Sequence, residues 1–427
     1  MNIETLKNPT FQFITVDKPG ALTASIIITS DRFAENSDKT VALGLIYSDL
    51  LLSGAGKFSR EDFTHALDLL GSSMQVSESG GRVTVTITSL AEKLSKTLAL
   101  FSMMLESPAF KPTELKRAKQ SIANSIELYK ENAQALASDG LSRALFKKSD
   151  RRYKNTPEAI TKALSTVTVK DLGLFHKSFV QTYWTVTVGG NEKTIKIVDK
   201  TITKFKKSVP LQEKISTMSD INEITSKKVV TQSVPSKQNI ELSIGANIPL
   251  TMTCPEFPDF LFGLTVLGKW AGFAGRLMSI VREKEGLTYG IYARVEGVSE
   301  RENGSWRIMT FFSPKDVKTG IESTLREINK IHKNGITESE WKRFKVILET
   351  EDQLIYDSLV RTVGKVHSIV TLGMGWGEYQ QCRERLHNST QVGINSALKK
   401  YLDPSKIVIS AAGPVKGVEK ELKGFEG

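Results

Sequence analysis

Gly275-Arg276-Leu277-Met278-Ser279-Ile280-Val281-Arg282-Glu283-Lys284-Glu285-Gly286-Leu287-Thr288-Tyr289-Gly290 is the stretch from which the fold of this 427-residue chain is read. Leu277, Ile280 and Val281 share one side of a helix. Gly286 supplies a turn, and Thr288 to Val295, rich in β-branched and aromatic residues, predicts a strand. Arg282 falls in the last helical turn and Tyr289 at the start of the strand, so a guanidinium and a phenol converge across one tight turn. The same turn also suits a plain structural role. In that case Arg282 neutralises a helix C-terminus and Tyr289 packs on the strand face of Ile291, Ala293 and Val295.

The preceding chain alternates strands and helices. Residues 22 to 30 read as a buried strand, and Lys39 to Ser53 has helical spacing closed by Gly54 and Gly56. Ser59 and Asp62 form a capping-box pattern for a helix from Arg60 to Leu70. Gly80-Gly81 joins Met74 to Ser79 and Arg82 to Thr88 as a hairpin. A helix from Leu90 to Leu105 follows, then one long charged helix from about Pro112 to Lys147, a helix near Val169 to Phe179, and a strand from Tyr183 to Val188. The order then returns. Lys111-Pro112-Thr113-Glu114-Leu115-Lys116-Arg117 is echoed by Thr337-Glu338-Ser339-Glu340-Trp341-Lys342-Arg343, and Thr185 to Gly189 by Ile407 to Ala411. Leu115 matches Trp341 at a spacing of 226 residues. An internal duplication follows, with an α+β domain at 1–208, a polar linker at 209–227 and a second domain at 228–427.

Arg-Glu-Lys-x-Gly-Leu-x-Tyr after a Gly-Arg-Leu helix resembles the C-terminal-half signature of the pitrilysin/insulinase family of zinc metallopeptidases. That resemblance implies two homologous α/β-sandwich halves, each a mixed, mostly antiparallel sheet packed with helices. It also implies that Arg282 and Tyr289 hold a substrate carbonyl at a zinc site. Active members of the family carry His-x-x-Glu-His on the first helix. Two histidines four apart face the same way and grip one zinc, and the glutamate between them activates water. Aligned on Leu52-Ser53-Gly54-Ala55, those positions hold Leu45, Ser48 and Asp49, and the third ligand position falls on Ser125. This chain is therefore expected to hold no metal or other cofactor.

The implied arrangement is a two-chain bacterial metallopeptidase in which this subunit lacks zinc and a homologous partner carries His-x-x-Glu-His and the metal. Peptide or unfolded protein would be the substrate. The other arrangement is an inactive assembly or peptide-binding subunit. None of the five histidines has another three to five residues away. Gly54-Ala55-Gly56-Lys57 resembles a phosphate loop but lacks its first glycine and its Ser/Thr.

Composition narrows the classes further. Hydrophobic residues at 40% and charged residues at 25% are those of a globular chain. The net charge of +11 suits an acidic partner, yet basic residues are interspersed with acidic ones and no nucleic-acid motif is present. The run from Pro258 to Gly275 is too interrupted to span a bilayer, so neither nucleic acid nor membrane is an expected partner. Cys254 and Cys382 lack metal-type spacing and suit a reducing compartment. Met1 to Gly20 has no basic segment followed by an apolar core. A cytoplasmic location is expected, or a periplasmic one if a leader has been removed.

Overall fold

Alternation of Val or Ile with Thr in Arg82-Val83-Thr84-Val85-Thr86-Ile87-Thr88 and in Thr185-Val186-Thr187-Val188 gives one sheet two different faces. The computed structural model describes residues 1–211, 220–269 and 273–427. Its first sheet contains β1 (Asn2–Lys7), β2 (Phe11–Asp17), β3 (Thr23–Ser30), β4 (Ser73–Ser79), β5 (Arg82–Leu90) and β6 (Trp184–Gly190), in the order β1-β2-β6-β3-β5-β4. The second contains β7 (Lys228–Ser233), β8 (Ile240–Asn247), β9 (Ile291–Glu296), β10 (Ser305–Phe312) and β11 (Val408–Gly413), in the order β7-β11-β8-β10-β9. With β1 set aside, the two orders match strand for strand. Only β2–β6 and β7–β11 pair in parallel. The fold is the expected pair of mixed, mostly antiparallel sheets packed with helices.

Helix positions extend the repeat. The helices Pro112–Lys130 and Ala133–Leu145 return as Glu338–Ile355 and Leu359–Thr371, both displaced by 226 residues. The single helix expected from Pro112 to Lys147 is thus two. Asn132 breaks it, accepting from the Ala135 N–H at 3.1 Å as the cap of the second.

Each unit is discontinuous in sequence. The first comprises 1–127, 155–217 and 353–371, and the second 128–154, 218–352 and 372–427. The contiguous division at 209–227 does not describe these units, because each sheet is faced by a helix from the other half of the chain. Residues 212–219 of the expected linker lie outside the described residues. Asp220 and Asn222 belong to the second unit, where the Asn222 side chain donates to the Ala144 carbonyl at 3.0 Å.

In the first unit the Val/Ile face of the sheet joins Phe11, Phe13, Ile26, Ile28 and Trp184 in the main core. The threonine face receives the helix Leu359–Thr371. His367 reaches it, its Nε2 lying 2.7 Å from Thr29 Oγ1 and its Nδ1 2.9 Å from Thr187 Oγ1. Gly189 permits the approach, since a Cβ there would run into Val363 and Leu359. In the second unit Ala133–Leu145 covers β8 and β11. Buried Arg307 on β10 donates to Ser138 and, at 3.2 Å, to Ser142. Here the glycine is on the helix, where a Cβ on Gly140 would meet the Ser410 hydroxyl.

Burial pushes the His367 imidazole down from 6.5 to about 4. The folded pKa lies below the unfolded one, so this contribution to stability is complete above about pH 6.5 and is lost as pH falls toward 4. The full effect is on the order of 3 kcal/mol. His367→Gln should therefore flatten the fall in thermal midpoint between those pH values. Parallel curves for the two proteins would rule out His367 as the titrating group.

Candidate functional site

The residues singled out in the sequence fall into two groups, one in each unit. The first lies on the helix Asp38–Leu50, capped by Ser37, which accepts from the Thr40 N–H at 3.1 Å. Its inner side, with Ala42, Ile46, Tyr47 and Leu50, is fully buried. Leu45 is exposed, and Ser48 spends its hydroxyl on the Gly44 carbonyl at 2.8 Å. Asp49 is held by Arg60, with Nη2 2.9 Å from Oδ2 and Nη1 3.3 Å from Oδ1. Arg60 Nε donates to Glu114 at 2.8 Å.

Burial alone would lower the Arg60 pKa, but its hydrogen bonds to Asp49 and Glu114 outweigh that and raise it. Ser125, on the helix Pro112–Lys130, is exposed and donates to the Ser121 carbonyl at 3.0 Å. A set of one alkyl group, two hydroxyls committed to backbone carbonyls and one carboxylate bound to a guanidinium, with no imidazole or thiolate, does not fit zinc. Among the described residues no group of three or more His, Cys, Asp or Glu is placed to hold a metal.

His65 is exposed. His176 is buried, with Nδ1 2.7 Å from the Tyr47 hydroxyl and Nε2 2.9 Å from the Leu105 carbonyl.

The second group is built on a π-helical segment, Met278–Lys284. Leu277, Met278 and Val281 are fully buried and fix it in place. The Glu285 N–H bonds the Ile280 carbonyl at 2.9 Å, one residue further back than in an α-helix, and such wide turns recur at functional sites. The turn after it closes through the Leu287 N–H to the Val281 carbonyl at 3.0 Å, with Gly286 in the left-handed region at φ 65°. Arg276 anchors the near end, bonding Glu340 at 2.9 and 2.6 Å. Glu285 anchors the far end through Ser323 at 2.5 Å and through Arg326.

These anchors leave Arg282 and Tyr289 together at the surface. The Arg282 guanidinium carbon is 5.3 Å from the Tyr289 ring centroid and 4.8 Å from that of Phe273. Its ion-pair contact among the described residues is Glu283 at 3.9 Å. Tyr289 is 68% exposed. The strand begins only at Ile291, so Tyr289 does not share the buried face of Ile291 and Ala293 as strand alternation had suggested. Buried Thr288 accepts from the Gly290 N–H at 3.3 Å and Thr310 donates to the Gly290 carbonyl at 3.1 Å. These two bonds hold the turn with its phenol outward. Phe273, 59% exposed, is the member of the site that sequence reading missed. It follows a glycine and has no periodic signal.

Comparison with known proteins adds to this geometry. Residues 166–348 match a family model described as "Peptidase M16 inactive domain", and residues 38–155 one described as "Insulinase (Peptidase family M16)". A Helicobacter pylori protein named "Non-peptidase homolog YmxG" is 20% identical over 372 residues, 86% of this chain and 83% of that protein. Among solved structures, a peptidase M16 inactive domain from Pseudomonas fluorescens superposes with a TM-score of 0.84 at 19% identity, covering 97% of this chain and 98% of that one. A structure described as a protease from Helicobacter pylori gives 0.83 at 15% identity, covering 97% and 99%.

Elemental analysis of protein stripped with chelator, reloaded with zinc and desalted is expected to find well under one zinc per chain. One tightly held zinc would overturn the placement of Leu45, Ser48, Asp49 and Ser125 at the ligand positions.

Proposed function

Because the chain belongs to the pitrilysin/insulinase (M16) peptidase family as an inactive peptidase-like member, we propose that it is the zinc-lacking subunit of a two-chain peptidase. In this reading a homologous chain bearing His-x-x-Glu-His supplies the metal, whose chemistry is to activate water. Arg282 and Tyr289 bind the substrate carbonyl and, more strongly, the oxyanion into which it is converted. The observation that carries the reading is the pairing of these two residues at an exposed turn, while the positions equivalent to the zinc ligands hold an alkyl group, a carboxylate bound to Arg60 and a hydroxyl bound to a backbone carbonyl.

The division of labour has a physical basis. Attack on a peptide carbonyl places negative charge on its oxygen, and each donor aimed at that oxygen is worth roughly 3 to 4 kcal/mol. Arg282 brings a planar fork of N–H groups and Tyr289 one O–H. The cation–π contact between them limits the guanidinium's freedom before substrate arrives, so less entropy is lost on binding. Among the described residues its ion-pair contact is a carboxylate 3.9 Å away, which leaves the charge available to the substrate. The partner, a peptide substrate and a cytoplasmic site of action all belong to this proposal.

Reconstitution with a His-x-x-Glu-His homologue tests it. Tyr289→Phe removes a donor but keeps the ring, and is expected to lower turnover roughly 10²-fold with subunit association intact. Arg282→Lys keeps the charge but loses the fork and should also lower turnover. If both variants match wild type in turnover while peptide binding persists, the chain is a peptide-binding or assembly subunit and these residues have no catalytic part.

A further inference from the structure

A groove of about 820 Å³ lies in the first unit between the helices Leu94–Glu106 and Glu192–Lys207. The first helix lines it with Leu98, Ala99 and Met103, the second with Lys200, Lys204 and Phe205, and Lys57 adds a third lysine to the lining. Phe205 is a fixed wall. It stacks on Trp184 at 5.5 Å, and Trp184 stacks on Phe179 at 5.3 Å.

The charges around this groove are unbalanced. Elsewhere on the same helix, Lys196 pairs with Glu192 at 2.5 Å, and buried Lys206 donates to the Val180 and Thr182 carbonyls at 2.9 and 2.6 Å. Lys200 and Lys204, one helical turn apart and mutually repelling, form no ion pair among the described residues, and neither does Lys57. Glu106 is the one carboxylate in the lining. The site therefore offers an apolar floor beneath an excess of free ammonium groups.

We infer that this groove binds a single-chain anionic amphiphile, a long-chain carboxylic acid, with the alkyl chain along Leu98, Ala99, Met103 and Phe205 and the carboxylate between Lys200 and Lys204. A peptide would fit the lining less well, because its backbone N–H and C=O groups need partners. Of the five hydroxyls in the lining, Thr201 already donates to the Ile197 carbonyl at 2.9 Å and Ser208 to the Phe205 carbonyl at 2.7 Å, which leaves three for a backbone that needs a partner at every residue. An alkyl chain asks for no such partners. The volume falls within the roughly 300 to 1,000 Å³ of small-molecule sites.

Calorimetric titration of the full chain with dodecanoate below its micellar concentration tests the inference. Saturable one-to-one binding is expected. Affinity should rise about fourfold per methylene from octanoate to dodecanoate, and dodecanol and acetate should each bind at least tenfold more weakly. Lys200→Glu with Lys204→Glu should weaken dodecanoate at least tenfold and leave dodecanol unchanged. Ala99→Trp, a change at an exposed position, should fill the groove and abolish binding while the circular dichroism and melting curve stay those of wild type. Equal affinity for dodecanol, binding unaffected by Ala99→Trp, or no saturable binding would each overturn it. So would attachment to anionic phospholipid vesicles that depends on the two lysines but not on Ala99.

Discussion

The contact between each sheet and the helix it receives from the other half of the chain is the constraint on which the rest of the structure depends. A sheet with a buried apolar face still has a second face, and a Thr-rich surface of this kind gains little from being dried unless its hydroxyls find partners. On the first sheet they do, where His367 bridges Thr29 and Thr187. On the other, Arg307 donates to Ser138 and Ser142 of the covering helix and pairs with Glu296 at 2.5 Å. The two solutions share a geometry without sharing chemistry. In one copy the glycine that lets helix meet strand is on the strand, Gly189, and in the other it is on the helix, Gly140. Duplicated halves have therefore kept the close approach while exchanging the side that lacks a Cβ.

This exchange of helices also bears on what the sequence revealed. The spacing of 226 between Leu115 and Trp341 was legible, and it turned out to govern two successive helices in each half. Their destination was not. Nothing in the periodicity of Ala133–Leu145 or Leu359–Thr371 says which sheet it will cover, since an amphipathic pattern specifies a buried face and not a partner. Asn132 escaped notice because an Asn within a charged stretch is compatible with both a surface helix and a cap. The helix Glu192–Lys207 was hidden by its lysines, although Val198, Ile202 and Phe205 are its buried side. The strand β1, with nearly every side chain exposed, has no apolar alternation to read.

The nearness of Arg282 and Tyr289 was legible in the sequence, and the presentation of Tyr289 was misread. Treating Thr288 to Val295 as one strand placed Tyr289 on the core side by a simple count of two. The actual strand starts at Ile291, and the Thr288 side chain replaces a ladder bond by closing on Gly290. A hydroxyl that bonds its own backbone two residues on is a local choice that competes with strand pairing, and propensity gives no hint of it. Phe273 was unreadable for a different reason. Its role arises from a contact with Arg282 nine positions later, through a turn whose path the sequence does not encode as a pattern.

Loss of metal ligands on one helix has a further consequence for charge. The position that is an imidazole in active members holds a carboxylate here, Asp49, and that charge needs a partner. In this chain Asp49 and Glu114 are both compensated by a single guanidinium, Arg60, at 2.9 and 2.8 Å. That network occupies the face that the family's ligands would use, so restoring histidines at Leu45 and Asp49 alone would not recreate a metal site. His at position 49 would free Arg60 to repel the incoming cation, and Ser125 would still offer no third ligand. The same type of residue, an arginine, thus has opposite parts in the two units. Arg60 is neutralised by two carboxylates, whereas Arg282, whose ion-pair contact among the described residues is at 3.9 Å and whose guanidinium lies over two aromatic rings, keeps its charge available.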